Sequence, residues 1–344
     1  MANPIWKDYF VNLGSGQSSF TYRILLADTS AVIYTGKAFR RPGEANVYIR
    51  INDICADFFK STLPAMSQAE FSALTFPISF KVQIYLQLNW VDAGTVAFDN
   101  NWSYDYDYDP DTMGLSFPIS GRIDRRQPVF ISVYDADEVE ADVYFTDGTS
   151  MHITVPISRT NDFDDSFNND FSRETRGSAS GVVTIIPADW ESLSNRLDRI
   201  VVGAQTYIAE DTCARYVLYY VNAYGGWDSF LIEGNTLETD NITRHLRSVE
   251  YDNRDISNRG DENFVNEIAK TFRFTTGWLT DLQSQRMHHL INSTCVYMYD
   301  LTYGQMIPVT IKDTSLEYKT YKTQGNKLVN YTILAQIAQN RIRR

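Results

Sequence analysis

A chain of 344 residues is long enough for two ordinary domains, each able to bury its own core. Its 43% hydrophobic content fits a folded protein, and 14% aromatic, mostly Tyr and Phe, suits strands and interfaces better than a helical bundle. The net charge of -12 is unevenly placed: Asp99 to Asp170 holds 16 acidic and 4 basic residues, and the remainder is neutral. Such a region repels nucleic acid, whose phosphates are held by Lys and Arg.

No apolar run approaches the roughly 18 residues that cross a bilayer. The opening MANPIWKDYF lacks the basic flank and apolar core of a signal peptide, so neither membrane anchoring nor standard export is expected. Four Asn-x-Ser/Thr matches are then coincidences of an Asn- and Thr-rich chain. Cys55, Cys213 and Cys295 are widely separated and odd in number, which points to buried small hydrophobes and neither a disulfide framework nor a CxxC metal site.

In chain order, YRILLA, AVIYTGKAF and NVYIRIN read as strands. The alternation of Val47, Ile49 and Ile51 against Tyr48 and Arg50 gives one buried face. A short helix is expected at Asp53 to Lys60. Lys81 to Trp90 reads as one strand, with Val82, Ile84, Leu86, Leu88 and Trp90 towards the core and Lys81, Gln83, Tyr85, Gln87 and Asn89 towards water. Residues 99–114, DNNWSYDYDYDPDTMG, form an acidic loop punctuated by Pro110 and Gly114. PVFISVY and ADVYFT resume the strands, and a two-residue Asp147-Gly148 link joins ADVYFT to TSMHITV as a hairpin. A second polar, acidic loop, 161–180, precedes the strand GVVTIIP.

Residues 1–190 are therefore expected to form an amino-terminal β domain and 191–344 a carboxy-terminal one, joined near Pro187 by a short helical connector in ADWESLSNRLDRI. The second domain opens on RYVLYYVNAYGGWDSFLIEGNT, two strand-like runs around a Tyr224-Gly225-Gly226-Trp227 turn. After a mixed segment, NITRHLRSVEYD, comes a polar turn at Asn253 to Asp261; the run FVNEIAKTFRFTTG then leads to one helix, about 280–292. Thr280 and Gln283 form a capping box, and Leu282, Met287, Leu290 and Ile291 an apolar stripe. CVYMYDL, MIPVTIKD, SLEYKTYKT and KLVNYTILAQIA close the chain as strands, the last alternating at Val329, Tyr331, Ile333, Ala335 and Ile337. The fold class is mainly β, two sandwich or barrel-like domains, the second with a flanking helix.

Chemical signatures are weak. Asp105, Asp107, Asp109 and Asp111 alternate as calcium ligands do, but Pro110 stands where such a loop needs Gly and Ser116 where it needs Glu, so a solvated acidic loop is the better reading. With Trp102, Tyr104, Tyr106 and Tyr108 the same loop could instead offer an aromatic edge to a partner. His288 and His289 are adjacent and cannot make the i, i+4 pair of a helical zinc site, which leaves them a structural or surface role; no hydrolase signature such as GxSxG occurs. Gly225 and Gly226 lack the spacing and Lys of a phosphate loop; they supply positive φ to a turn whose Tyr224 and Trp227 are packing or interface residues. No catalytic residue, cofactor or metal is expected.

The order YVLYYVNAYGGWDSFLIEGN, TFRFTTGWLTDLQSQRMHHLINS, VYMYDLTYGQMIPVTIKD, KLVNYTILAQIA resembles a family of virion structural proteins of tailed bacteriophages and prophages of gut bacteria, including crAss-like phages. The resemblance covers residues 200–340 best; WKDYFVNLG, IYTGKAF and VYIRINDIC are similar to that family's amino-terminal domain. It implies a non-enzymatic tail, tail-tip or neck ring component of the virion, assembled in the host bacterial cytoplasm as a homo-oligomeric ring beside neighbouring tail or neck proteins; the acidic Asp99 to Asp170 region, if it faced the channel of such a ring, would let DNA pass without sticking. Two other readings stay open: a carbohydrate-binding tail adhesin that stacks Trp102, Tyr104, Tyr106 and Tyr108 on sugars, and a glycan-cleaving tail enzyme using an acidic pair.

Overall fold

The computed structural model describes residues 3–5, 8–59, 61–73, 78–100, 121–157, 179–187, 196–203, 205–248, 261–313, 329–339 and 341–343. The fold is mainly β, with several antiparallel sheets and two short helices among the described residues. The acidic loop 101–114, the second loop at 161–178, the polar turn at 253–260 and the expected strand SLEYKTYKT lie outside them.

The first sheet has the order β1 (Asn3–Pro4), β8 (Asn89–Asp99), β7 (Ile78–Leu86), β3 (Ser19–Leu26), β4 (Val32–Phe39). Packed with it are the pair β2 (Phe10–Ser15) and β5 (Asn46–Arg50) and the five-residue helix α1 (Asn52–Ala56), shorter than the helix expected there. Phe20, Ile24, Val47, Ile49, Ile51, Cys55, Phe80, Val82 and Phe98 meet in one core. Each such large side chain stabilises the fold by about 1.5–3 kcal/mol through area removed from water. The predicted alternation of β5 is observed, with Val47 and Ile51 fully buried and Tyr48 exposed.

Lys81 to Trp90 is not one strand. The chain reverses at Gln87 and Leu88, both at positive φ (46° and 71°), and Leu86 pairs with Asn89 across a two-residue turn. Positive φ at both positions matches the strand twist of a tight hairpin, and Gly or Asn normally supplies it. Leu88 is consequently 83% exposed, and Trp90 falls on the same side as Tyr85, its ring 5.2 Å away, under the guanidinium of Arg23.

The next unit is a sandwich of two sheets. One has the order β10 (Val129–Ala136), β13 (Ala179–Ile185), β6 (Glu70–Ala73); the other β12 (Ser150–Pro156), β11 (Glu138–Phe145), β14 (Leu197–Val202), β15 (Gln205–Glu210), β9 (Gly121–Asp124). Ile131, Val143, Val183, Ile185, Leu197 and Ile200 fill the space between them. The Asp-Gly hairpin forms between β11 and β12, with Gly148 at φ 85°. Its loop includes Thr146, because Phe145 and Thr149 close it by a 2.9 Å backbone hydrogen bond.

A domain boundary at 190 would cut this second sheet, since β11 pairs with β14 through Val143 and Ile200. The LDRI end of the expected helical connector is strand. Sandwich strands thus continue to Glu210, and the last unit begins after residues 211–215. Cys213 lies in that link and is exposed, unlike buried Cys55 and half-buried Cys295, so the reading of all three as buried holds for only part of the set.

Asp124, on β9, fastens the link. Its buried carboxylate accepts from Arg126 Nε at 2.8 Å and Nη2 at 2.9 Å and from Thr212 Oγ1 at 2.6 Å. Burial alone would raise the carboxyl, but the hydrogen bonds from Arg126 and Thr212 outweigh it and hold Asp124 below the usual carboxylate range. A depressed folded pKa contributes stability above the unfolded value, near 3.9, and loses it as pH falls through the folded value. Asp124→Asn is therefore expected to cost about 2 kcal/mol at pH 7, with a gap to the parent in thermal melts that narrows below about pH 4. An equal gap at pH 7 and pH 3 would contradict this assignment.

The last unit is one sheet of order β17 (Trp227–Leu231), β16 (Tyr216–Val221), β20 (Val296–Asp300), β21 (Gln305–Ile311), β22 (Thr332–Ile337), β19 (Asp261–Thr275), β18 (Thr236–Ser248), with β23 (Arg341–Arg343) also paired to β19. It curls: Tyr216 on β16 donates its hydroxyl to Glu238 on β18 at 2.6 Å, although four strands, β20, β21, β22 and β19, lie between β16 and β18 in the hydrogen-bonded order. Helix α2 (Asp281–Ile291) packs on this sheet through fully buried Met287 and Leu290. The predicted capping box is present, Thr280 N donating to Gln283 Oε1 at 3.0 Å and Gln283 N to Thr280 Oγ1 at 3.3 Å. Val329, Tyr331, Ile333 and Ala335 alternate inward as expected.

Candidate functional site

Strands β18 and β19 make a ribbon that the sequence reading did not anticipate. They pair from Thr236 with Phe274 out to Ser248 with Asp261, whereas β22 accompanies β19 only along Thr271–Thr275. Asp240–Ser248 therefore runs on past β22 for roughly 30 Å at about 3.3 Å per residue. Every residue of Thr239–Ser248 is exposed, so both faces of β18 are in water. A bulge at His245 and Leu246 brings Leu246 (65% exposed) and Phe264 (61%) to the outer end, with Ile242 (47%) behind them. Large exposed apolar side chains on a strand with one free edge are a template for association that monomeric proteins normally blunt.

At the root of the ribbon the curl encloses a groove of about 670 Å³. Tyr216, Phe272, Met298, Ile307 and Ile337 give it an apolar lining, and Arg215, Asp240, Lys270 and Asp300 a charged rim. Glu238 draws three partners together there: Lys270 at 2.7 Å, Arg215 at 3.1 Å and the Tyr216 hydroxyl. Hydrogen bonds from Lys270 and then Tyr216 hold the Glu238 carboxyl below its ordinary value. Arg215 also reaches Asp300 at 3.3 Å. Asp240 has no ion-pair partner among the described residues.

The Tyr224-Gly225-Gly226-Trp227 turn is organised from inside. Buried Asn222 accepts from the amides of Tyr224 (2.9 Å) and Gly226 (3.1 Å) and donates to Asp228 Oδ2 (2.8 Å), which replaces the solvent these groups have lost. Gly225 takes the positive φ, 90°; of the glycine pair it alone has the left-handed backbone. Ala223 N donates to His289 Nδ1 at 3.3 Å, and burial, followed by the charges of His288 and Arg286, pushes His289 down to about 4. His289 is thus a neutral acceptor holding a loop, the structural role expected of it.

Trp227 is fully buried and serves as packing, with no surface to present. Its ring lies between Phe130 at 6.2 Å and Tyr297 at 6.0 Å, and its backbone amide donates to Ser132 Oγ at 2.7 Å. Tyr224 is half-buried against the His289 ring. Trp102, Tyr104, Asp105, Tyr106, Asp107, Tyr108 and Asp109 lie outside the described residues. The rest of the acidic stretch is split: Asp124 is buried in its bonds to Arg126 and Thr212, while Glu138 and Glu140 are exposed on β11.

Among the described residues no three His, Cys, Asp or Glu side chains gather as a metal site, and no helix is long and apolar enough to cross a membrane. Comparison with protein-family models, curated proteins and solved structures finds no match. What the arrangement offers chemically is contact: an apolar-tipped ribbon, an apolar groove with a charged rim, and a turn locked by buried hydrogen bonds.

Proposed function

We propose that this chain is a structural subunit of a tailed-bacteriophage virion, a ring-forming tail or neck component that works through protein–protein contacts. The β18–β19 ribbon carries the reading, because both faces of β18 are exposed over Thr239–Ser248 and its end displays Leu246 and Phe264. An element of this kind gains by burying its apolar end against a neighbour, and a repeated contact between identical copies closes into a ring when its rotation permits. The resemblance of residues 200–340 to virion structural proteins supports the same assignment. A gold-labelled antibody against the chain, applied to purified virions of the phage that encodes it, should mark the tail or neck at a fixed position. Absence of the chain from purified virions would contradict the proposal.

A further inference from the structure

We infer that the ribbon end of one copy seats in the curled-sheet groove of the next, an inference that rests on the ring reading above. The two surfaces match in three respects. The end displays Ile242, Leu246 and Phe264, and the groove lining is Tyr216, Phe272, Met298, Ile307 and Ile337. The groove holds about 670 Å³, in the range that accepts a ligand larger than two bulky side chains. Arg244 and Arg247 on the ribbon have no ion-pair partner among the described residues, and neither does Asp240 on the groove rim.

The contact has to be between copies. Leu246 stands six residues along β18 from Asp240, about 20 Å at strand rise, and the ladder with β19, paired from Thr236 to Ser248 with one bulge at His245 and Leu246, keeps the ribbon from folding back. A ribbon end on one side and a groove on the other make a head-to-tail interface, which generates a closed ring or an open filament according to the rotation between copies. Burial of the two apolar sets supplies the attraction, and the Arg244, Arg247 and Asp240 charges set the orientation.

The test uses two full-length variants. One carries Leu246→Asp and Phe264→Asp on the ribbon; the other carries Asp240→Arg and Ile337→Arg at the groove. At a concentration where the parent is oligomeric, each variant alone should have the mass of one chain by light scattering. An equimolar mixture should form a species of twice that mass and nothing larger, since each pair retains one intact ribbon and one intact groove. Formation of that dimer also shows both variants to be folded. If the parent assembles and either variant assembles as the parent does, or the mixture remains monomeric, this interface is wrong while ring formation stands. A groove variant that dissociates beside a ribbon variant that does not would place another segment in the groove and overturn the inference. A parent that stays monomeric removes the ring reading and this interface together.

Discussion

Gly234→Ala is expected to lower stability by about 3 kcal/mol, the upper end of what a forced backbone shift costs. Gly234 lies between β17 and β18, two residues before β18 begins. A Cβ there would stand 2.3 Å from the Thr275 carbonyl oxygen, 2.8 Å from its carbon and 3.0 Å from the Gly277 amide nitrogen. All three are backbone atoms, so no side-chain rotation can relieve the clash. The neighbouring amide of Thr275 donates to Asn235 O at 2.9 Å, and moving either strand to make room strains that bond. The glycine is needed for close approach, because its φ is not in the left-handed region. A urea titration should show the midpoint falling with its slope unchanged; a midpoint equal to the parent's would show that the two strands can separate freely at this point. Ring assembly is expected to weaken as well, since the strand that carries the ribbon, β18, begins two residues later.

Trp227→Ala is expected to cost about 4 kcal/mol, the range for deleting a fully buried aromatic side chain. The loss has two parts, the area returned to water and the cavity left between Phe130 and Tyr297. Phe130 belongs to the sandwich and Tyr297 to the curled sheet, so the cavity opens where those units meet. Val182 and Tyr219 share that cluster, which explains why the run Val182-Val183 is apolar on both faces: Val183 packs into the sandwich core and Val182 against the last unit. Among the described residues Trp227 Nε1 has no hydrogen-bond acceptor, so the indole contributes only packing. Trp227→Phe should accordingly lose about half as much as the Ala variant, the direction expected when cavity size sets the cost. Equal losses for Phe and Ala in calorimetry would point instead to a polar role for the indole.

Where the sequence alone identified elements correctly, a local chemical signal agreed with the packing. Val47, Ile49 and Ile51 alternate because one face of β5 meets the core, and Thr280 with Gln283 caps α2 because the free amides of its first turn need acceptors. Where it failed, tertiary structure overrode or hid the signal. Gln87 and Leu88 make a tight turn without Gly or Asn, and the unbroken alternation through them concealed the reversal. The boundary at 190 missed β14 and β15, whose partners β11 and β9 lie far away in sequence. The ribbon was illegible for a physical reason: Thr239–Ser248 has water on both sides, so nothing imposes a period of two on its composition. For the turn, the Gly pair and aromatic neighbours marked the bend, but nothing local indicated that Asn222 would organise it or that Trp227 would be fully buried.

In the proposed role this subunit closes upon copies of itself. Its most direct test is the solution mass of the purified full chain, measured by light scattering across a dilution series. One dominant species is expected at a fixed integer multiple of 39.4 kDa, persisting over the series until it dissociates without populated filaments. A mass of 39.4 kDa at every concentration, or a mass that grows without limit as concentration rises, would contradict it.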